Sequence, residues 1–209
     1  MIRSPAHPGQ EVLVLTNGIL GPPGLLGEWL DDRQFQTTVV QVDANDHVPD
    51  PVRSAFVASL GAPYSPRDVD KPYVARELML QETCLQRDLP ILGPCFGGQA
   101  PATVLGGEVR RFEKPDHGWH DIGTHAAELV GEGPWLKWHY DAFTVPSGAE
   151  ELARSAVGPL AFASGRNLGV QFHPEATAAI ASKWLHWDPH HTGDPDQAIY
   201  AFRGADVSA

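Results

Sequence analysis

Hydrophobic residues recur along this chain in short blocks that switch between two periods. Glu11 to Leu15 (EVLVL) is a compact apolar run that closes on Thr16-Asn17-Gly18, the punctuation of a strand end. From Gly24 to Arg33, Leu25, Leu26, Trp29 and Leu30 fall at helical spacing, which predicts a helix with Trp29 on its core face. Thr37 to Val42 is β-branched and reads as a second strand, Asp43 to Pro51 as a polar loop, and Ala55 to Leu60 as a third strand. Asp70-Lys71-Pro72 has the form of a helix start, a capping acid followed by proline in the first turn. Val74, Leu78 and Leu85 then mark one stripe of a helix running to about Arg87, with Cys84 beside it as a buried structural thiol. Asp88 to Gly93 is a further strand, and Phe96 to Leu105 a helix closed by Gly106-Gly107. Pro101 removes the partner of the Gly97 carbonyl inside that helix, which predicts a kink or a short first turn.

The pattern changes after Glu108. Short runs at Glu108–Phe112, Trp119–Ile122, Trp135–Trp138, Ala142–Val145, Glu151–Ser155 and Leu160–Ala163 are parted by Gly, Pro and Asp, as in antiparallel hairpins. Leu168 to Phe172 returns to the central sheet, and Ala176 to Trp187 reads as a last helix. Strand-helix-strand alternation in the first half points to an α/β fold, an open, mostly parallel twisted sheet flanked by helices with added antiparallel strands. The expected division is a flexible tail over 1–10, one domain over 11–187 and a polar extension over 188–209.

Composition narrows the function classes. The chain has 209 residues, enough for one domain with a covered core, and a formal net charge of −11. That charge argues against a nucleic-acid partner, which needs clustered Lys and Arg, and favours solubility. Met1 to Gln10 has no apolar run, so neither a signal peptide nor a membrane span is expected, and no membrane partner. Two cysteines, Cys84 and Cys95, imply no disulfide framework and fit a reducing cytoplasm. His186, His190 and His191 lack a companion carboxylate or thiolate set at ligand spacing, so no metal and no cofactor are expected.

The chemistry centres on Leu89-Pro90-Ile91-Leu92-Gly93-Pro94-Cys95-Phe96-Gly97-Gly98-Gln99. This is a short strand, a sharp glycine-flanked turn with a cysteine at its apex, and a helix behind it. A thiol at a helix N-terminus feels the positive end of the dipole, which favours the thiolate. Most cysteines are merely small core residues. Far along the chain, Leu168-Gly169-Val170-Gln171-Phe172 ends in His173-Pro174-Glu175, where proline fixes the relative direction of the two side chains. Cys95, His173 and Glu175 then supply a nucleophile, a base and an orienting carboxylate at strand ends.

These residues resemble the class I (triad) glutamine amidotransferases, particularly stand-alone domains similar to the glutaminase part of GMP synthase. The family's G-x-C-x-G-x-Q motif is matched by Gly93, Cys95, Gly97 and Gln99, and its H-P-E motif by His173, Pro174 and Glu175. Ser59-Leu60-Gly61-Ala62-Pro63 is similar to its S-G-G-P loop, and Trp138-His139-Tyr140-Asp141 to its W/S-H-G-D segment. The resemblance runs from about Glu11 to about Trp187 and implies a flavodoxin-like three-layer sandwich. It also implies hydrolysis of the glutamine side-chain amide through a thioester on Cys95, giving glutamate and ammonia. The backbone N–H groups of Ala62 and Phe96 would form the oxyanion hole, and Gly61, Gln99, His139 and Tyr140 would contact substrate. Ala62 stands where the family has Gly, so a positive φ there would cost about 1 kcal/mol. Tyr140 replaces another Gly, which would narrow the pocket or lose the contact.

No P-loop or second domain accompanies these motifs, so a separate synthase subunit is the implied ammonia acceptor. Two rival readings stay open. A Cys-His-Glu hydrolase of γ-glutamyl amides or isopeptides would turn over γ-glutamyl conjugates faster than glutamine and need no partner. A non-catalytic binding or regulatory module would keep its role when Cys95 is alkylated.

Overall fold

The computed structural model describes residues 9–44 and 47–187. The predicted tail at 1–10, apart from Gly9 and Gln10, and the predicted extension at 188–209 lie outside the described residues.

The first strand, β1 (Glu11–Thr16), sorts the core by its alternation. Val12 and Val14 pack on one face with Leu30 of α1 (Gly24–Asp32), while Leu13 and Leu15 pack on the other with Cys84 of α2 (Pro72–Gln86). A strand buried on both faces belongs at the centre of a sheet, and β1 lies between β2 (Gln36–Gln41) and β3 (Phe56–Ser59), parallel to both. Next to β3 comes β4 (Ile91–Pro94), which feeds α3 (Phe96–Val104).

The chain then leaves the parallel core. It forms β5 (Val109–His120), β6 (Gly123–Thr124), a short helix α4 (Ala127–Val130), β7 (Trp135–Phe143), β8 (Glu150–Ser155) and β9 (Gly158–Ser164). It returns as β10 (Asn167–Val170), pairs in parallel with β4, and ends in α5 (Ala178–Trp187). Among the described residues, one sheet runs β2-β1-β3-β4-β10-β9-β8-β6, its first five strands parallel and its last three antiparallel; β5 and β7 form a second, two-stranded sheet. The parallel part has the 2-1-3-4-5 order of flavodoxin-like folds, whose ligands sit at the carboxyl ends of the strands.

Several expectations need correction. Trp29 is 40% exposed, stacked on Phe35 with the Arg33 guanidinium over its ring, and only Leu30 of α1 is buried. Lys71, not Asp70, occupies the cap of α2, with no side-chain cap bond, and Pro72 opens the helix. The four runs expected as separate strands at 108–112, 119–122, 135–138 and 142–145 are parts of two long strands, β5 and β7, irregular in register between Arg111 and Asp116. Pro101 sits inside α3 without dividing it, and Cys84 is fully buried as expected.

Candidate active site

The site grows from the neighbouring strands β4 and β10. Their register pairs Pro94 with Val170, and the Cys95 N–H donates to the Val170 carbonyl at 2.8 Å. Cys95 therefore sits one residue past the end of one strand, and His173 three residues past the end of its neighbour. Cys95 adopts φ 53 and ψ −111, a strained conformation for a side-chain-bearing residue, held between β4 and α3. The flanking glycines are a steric necessity: a Cβ on Gly97 would lie 1.7 Å from the Ser59 carbonyl oxygen, and one on Gly93 2.0 Å from that of Gly97. Only side-chain-free backbone lets α3 pack so closely on β3 and β4.

His173 is anchored by its backbone N–H to the Leu136 carbonyl on β7 at 2.8 Å. Its Nδ1–H donates to Glu175 Oε1 at 2.7 Å, and both side chains are 4% exposed. The indole of Trp184 meets the imidazole edge-on at 4.6 Å and is itself held by an Nε1–H bond to the Leu20 carbonyl at 2.7 Å. Burial alone would drive the imidazolium to lower pKa. The charge and hydrogen bond of Glu175, helped by the neighbouring Cys95 side chain, reverse this and carry His173 up to about 10. The imidazole is thus paired with the carboxylate and holds its proton at neutral pH, and the Cys95 Sγ lies 3.9 Å from the Trp138 carbonyl.

The remaining sequence-predicted residues gather around this pair. A Cβ on Gly61 would stand 2.8 Å from His173 Cε1 and 3.6 Å from Cys95 Cβ. Ala62 follows on the same loop, and its φ is not positive: among the described non-glycine residues only Gln34, Asp88 and Cys95 have positive φ. The strain expected at Ala62 therefore does not arise. Phe96 is the first residue of α3, so its N–H is one of those a helix leaves unpaired.

Gln99 is no solvated helix residue. It is 3% exposed, and its Nε2 donates to the Asp141 carbonyl at 3.1 Å and to Gln171 Oε1 at 3.4 Å. His139 is as deeply buried, with Nδ1–H on the Asp141 carbonyl at 3.0 Å and Nε2 3.6 Å from Asp116 Oδ2. Desolvation pulls it down to about 4 despite the pull of Asp116, so it is neutral and fixes the shape of β7. Tyr140 lines the cavity with the Arg111 guanidinium 5.1 Å above its ring.

A half-open cavity of about 490 Å³ contains all of these groups except Phe96. Part of its wall is formed by residues that the sequence did not single out: the loop Asn17–Gly21 after β1, Arg111, Tyr64 and Trp187. The Asn17-Gly18 punctuation was the available signal, because it ends a central strand at the edge where ligands bind. Asp141 lines the cavity too, with Arg67 at 3.3 Å and Arg111 at 3.9 Å from its Oδ1. Cross-strand pairing of Arg111 with Asp141 depends on the β5–β7 register, which hydropathy does not reveal.

A parallel sheet with a cysteine elbow and a histidine–glutamate pair on adjacent strand ends defines a class of protein, and comparison with known families agrees. The family model for glutamine amidotransferase class-I matches residues 26–185, and the chain belongs to that family. The fold superimposes on that of a glutamine amidotransferase from Methylobacillus flagellatus with TM-score 0.85 at 26% identity, covering 95% of this chain and 88% of the other. A glutamine-hydrolysing GMP synthase of Thermus thermophilus is 35% identical over 151 residues, 63% of this chain and 29% of that protein. In Saccharolobus solfataricus, one subunit of the glutamine-hydrolysing GMP synthase is 34% identical over 124 residues, 55% of this chain and 64% of its counterpart. The matches to the Aeropyrum pernix and Thermus thermophilus relatives span 19% and 29% of those proteins, less than a third of their length. No described helix is long and apolar enough to cross a membrane.

Proposed function

We propose that this chain hydrolyses the side-chain amide of glutamine, with Cys95 as nucleophile, His173 as acid–base and Glu175 as its orienting partner. The observation that carries the reading is the convergence at Gly61, whose absent side chain would touch both the imidazole and the Cys95 side chain. In this reading the sulfur attacks the amide carbon, and charge builds on the carbonyl oxygen between the N–H groups of Ala62 and Phe96. Such donors are worth about 10²–10³-fold because they act where charge develops. The imidazolium hands its proton to the leaving nitrogen and ammonia departs. His173 then takes a proton from water as it attacks the thioester, and the C–S bond breaks, releasing glutamate and returning the sulfur and the imidazolium to their starting state. Acid–base help of this kind contributes about 10²–10⁴-fold. Glu175 keeps the ring in one tautomer and offsets its charge in a dry site. Ammonia passes to an acceptor on a separate synthase subunit.

One observation favours a second reading of the same machinery. The cavity extends beyond the reacting groups to Trp184, Trp187, Ile19 and Leu20, and its volume lies in the range of about 300–1,000 Å³ that accommodates drug-sized ligands. A γ-glutamyl amide with a bulky amine would fill that apolar end. Ammonia or amine release from glutamine and a panel of γ-glutamyl compounds, wild type against Cys95→Ala, tests both. Turnover of glutamine that disappears with Cys95 supports the first reading, and faster turnover of conjugates supports the second. Absence of Cys95-dependent turnover on every compound, with and without cell extract, overturns both.

A further inference from the structure

A carboxyl group that the chemistry above does not use lies directly behind the site. Glu77 on α2 is 1% exposed, facing the end of β3. Ser59 Oγ–H donates to Glu77 Oε1 at 2.6 Å, and Gln81 Nε2, one turn further along α2, donates to the same hydroxyl at 2.9 Å. Asn17, one residue past the end of β1, accepts a hydrogen bond from the Tyr64 hydroxyl at its Oδ1, while its Nδ2 is buried without a partner among the described residues. Glu77 Oε2 and Gln81 Oε1 remain buried without partners among the described residues. Burying a carboxyl in an incompletely satisfied network is a poor way to stabilise a core, where an apolar side chain of similar volume serves better.

The network's reach explains its place. Ser59 is the last residue of β3, two before Gly61 and three before Ala62. Its carbonyl and hydroxyl also form the surface against which Gly97 packs, two residues after Cys95. Tyr64 packs edge-on against the ring of Phe96 at 5.3 Å. One carboxyl is thereby linked through Ser59 to the Gly61-Ala62 loop and to the first turn of α3.

We propose that Glu77 is a positioning residue: through Ser59 it sets the separation and direction of the Ala62 and Phe96 N–H groups relative to the Cys95 sulfur. The proposal rests on the reading of those two groups as the oxyanion hole. Glu77 touches no reacting atom, so its removal leaves the thiol–imidazole pair in place and spoils the hole. The predicted loss is confined to reactions in which an oxyanion forms.

Two alkylating reagents separate these effects on the intact chain. The chloromethyl ketone analogue of glutamine forms a tetrahedral adduct through its carbonyl, whereas iodoacetamide alkylates the sulfur by direct displacement. In Glu77→Ala the maximal rate of Cys95 labelling by the chloroketone should fall about 10²-fold, the loss expected for a misplacement of about 1 Å. Its half-saturating concentration and the iodoacetamide rate should stay within about threefold of wild type, by the same geometric argument. Glu77→Gln retains an acceptor for Ser59 and should recover most of the chloroketone rate. Ser59→Ala provides the same test should Glu77→Ala not fold. Equal slowing with both reagents, or slowing with neither, overturns the proposal. Labelling needs no turnover, so a chain that discriminates between the reagents yet hydrolyses no amide would refute the proposed function and leave the positioning role standing.

Discussion

Gly61→Ala is the sharpest perturbation the geometry offers. Its backbone is not in the left-handed region, so the added methyl brings no conformational strain, only a collision. The new Cβ would lie 2.8 Å from His173 Cε1, whereas ordinary contacts begin at 3.4 Å. Either the ring or the loop must therefore move by about 0.6 Å to relieve the overpacking. The ring has little freedom, because Glu175 holds it at 2.7 Å and Trp184 meets its edge at 4.6 Å. The loop must then yield, carrying Ala62 with it. A displacement of this size should lower kcat by about 10- to 10²-fold. Overpacking by one methyl costs about 1 kcal/mol or a little more, which moves Tm by only a few degrees in a domain of this size. Ammonia release coupled to glutamate dehydrogenase reads the first quantity and a thermal melt the second. Gly123→Ala is the control, since its Cβ would make an ordinary 3.5 Å contact with the Arg154 carbonyl. Wild-type kcat in Gly61→Ala would refute the claim that this loop, the Cys95 side chain and the imidazole share one crowded point.

Three further outcomes follow from the same geometry. Cys95 has φ 53, so Cys95→Gly should be more stable than Cys95→Ala by about 1 kcal/mol, reversing the usual order, with both inactive; chemical denaturation of the two variants decides. Glu175→Gln leaves a buried imidazolium without its anion and should cost about 3–5 kcal/mol at pH 7 as well as most of kcat, measured by denaturant titration and turnover. Burial raises Glu77 to about 7 from an ordinary 4.5, so the unfolded chain gives up that proton first as pH rises. Stability should then fall between pH 4.5 and 7, by up to about 3 kcal/mol, and Glu77→Gln should lose that slope in unfolding curves taken across this range.

The parallel core was legible because each of its strands is a short apolar block delimited by turn residues, and the elbow because glycine, cysteine and helix follow one another in sequence. The β5–β7 ribbon was not. Its strands mix Trp, His, Lys and Asp, and the side chains of Lys137 and Asp141 are buried by pairing with Asp116, Arg67 and Arg111, and that of His139 by its bond to the Asp141 carbonyl, rather than by hydrophobicity. Glu77 and Gln81 were hidden for a related reason. On α2 they lie at helical spacing and read as solvated, yet both face β3 because Ser59 supplies their hydrogen bonds. Trp29 erred in the opposite direction, as an aromatic on an apolar stripe that stacks at the surface with Phe35 and Arg33. Period alone cannot distinguish a buried polar network from a wet face, since the distinction lies in partners distant in sequence.

The claim beneath all of this is that Cys95 becomes acylated by a γ-glutamyl group. Wild-type protein mixed with glutamine, quenched in acid within a turnover and digested, should yield a Cys95 peptide heavier by one γ-glutamyl group. The adduct should be absent in Cys95→Ala and scarce in His173→Ala. Glutamate accumulating in the same mixture with no adduct at Cys95 at any quench time, or with the adduct on Cys84, would contradict the account.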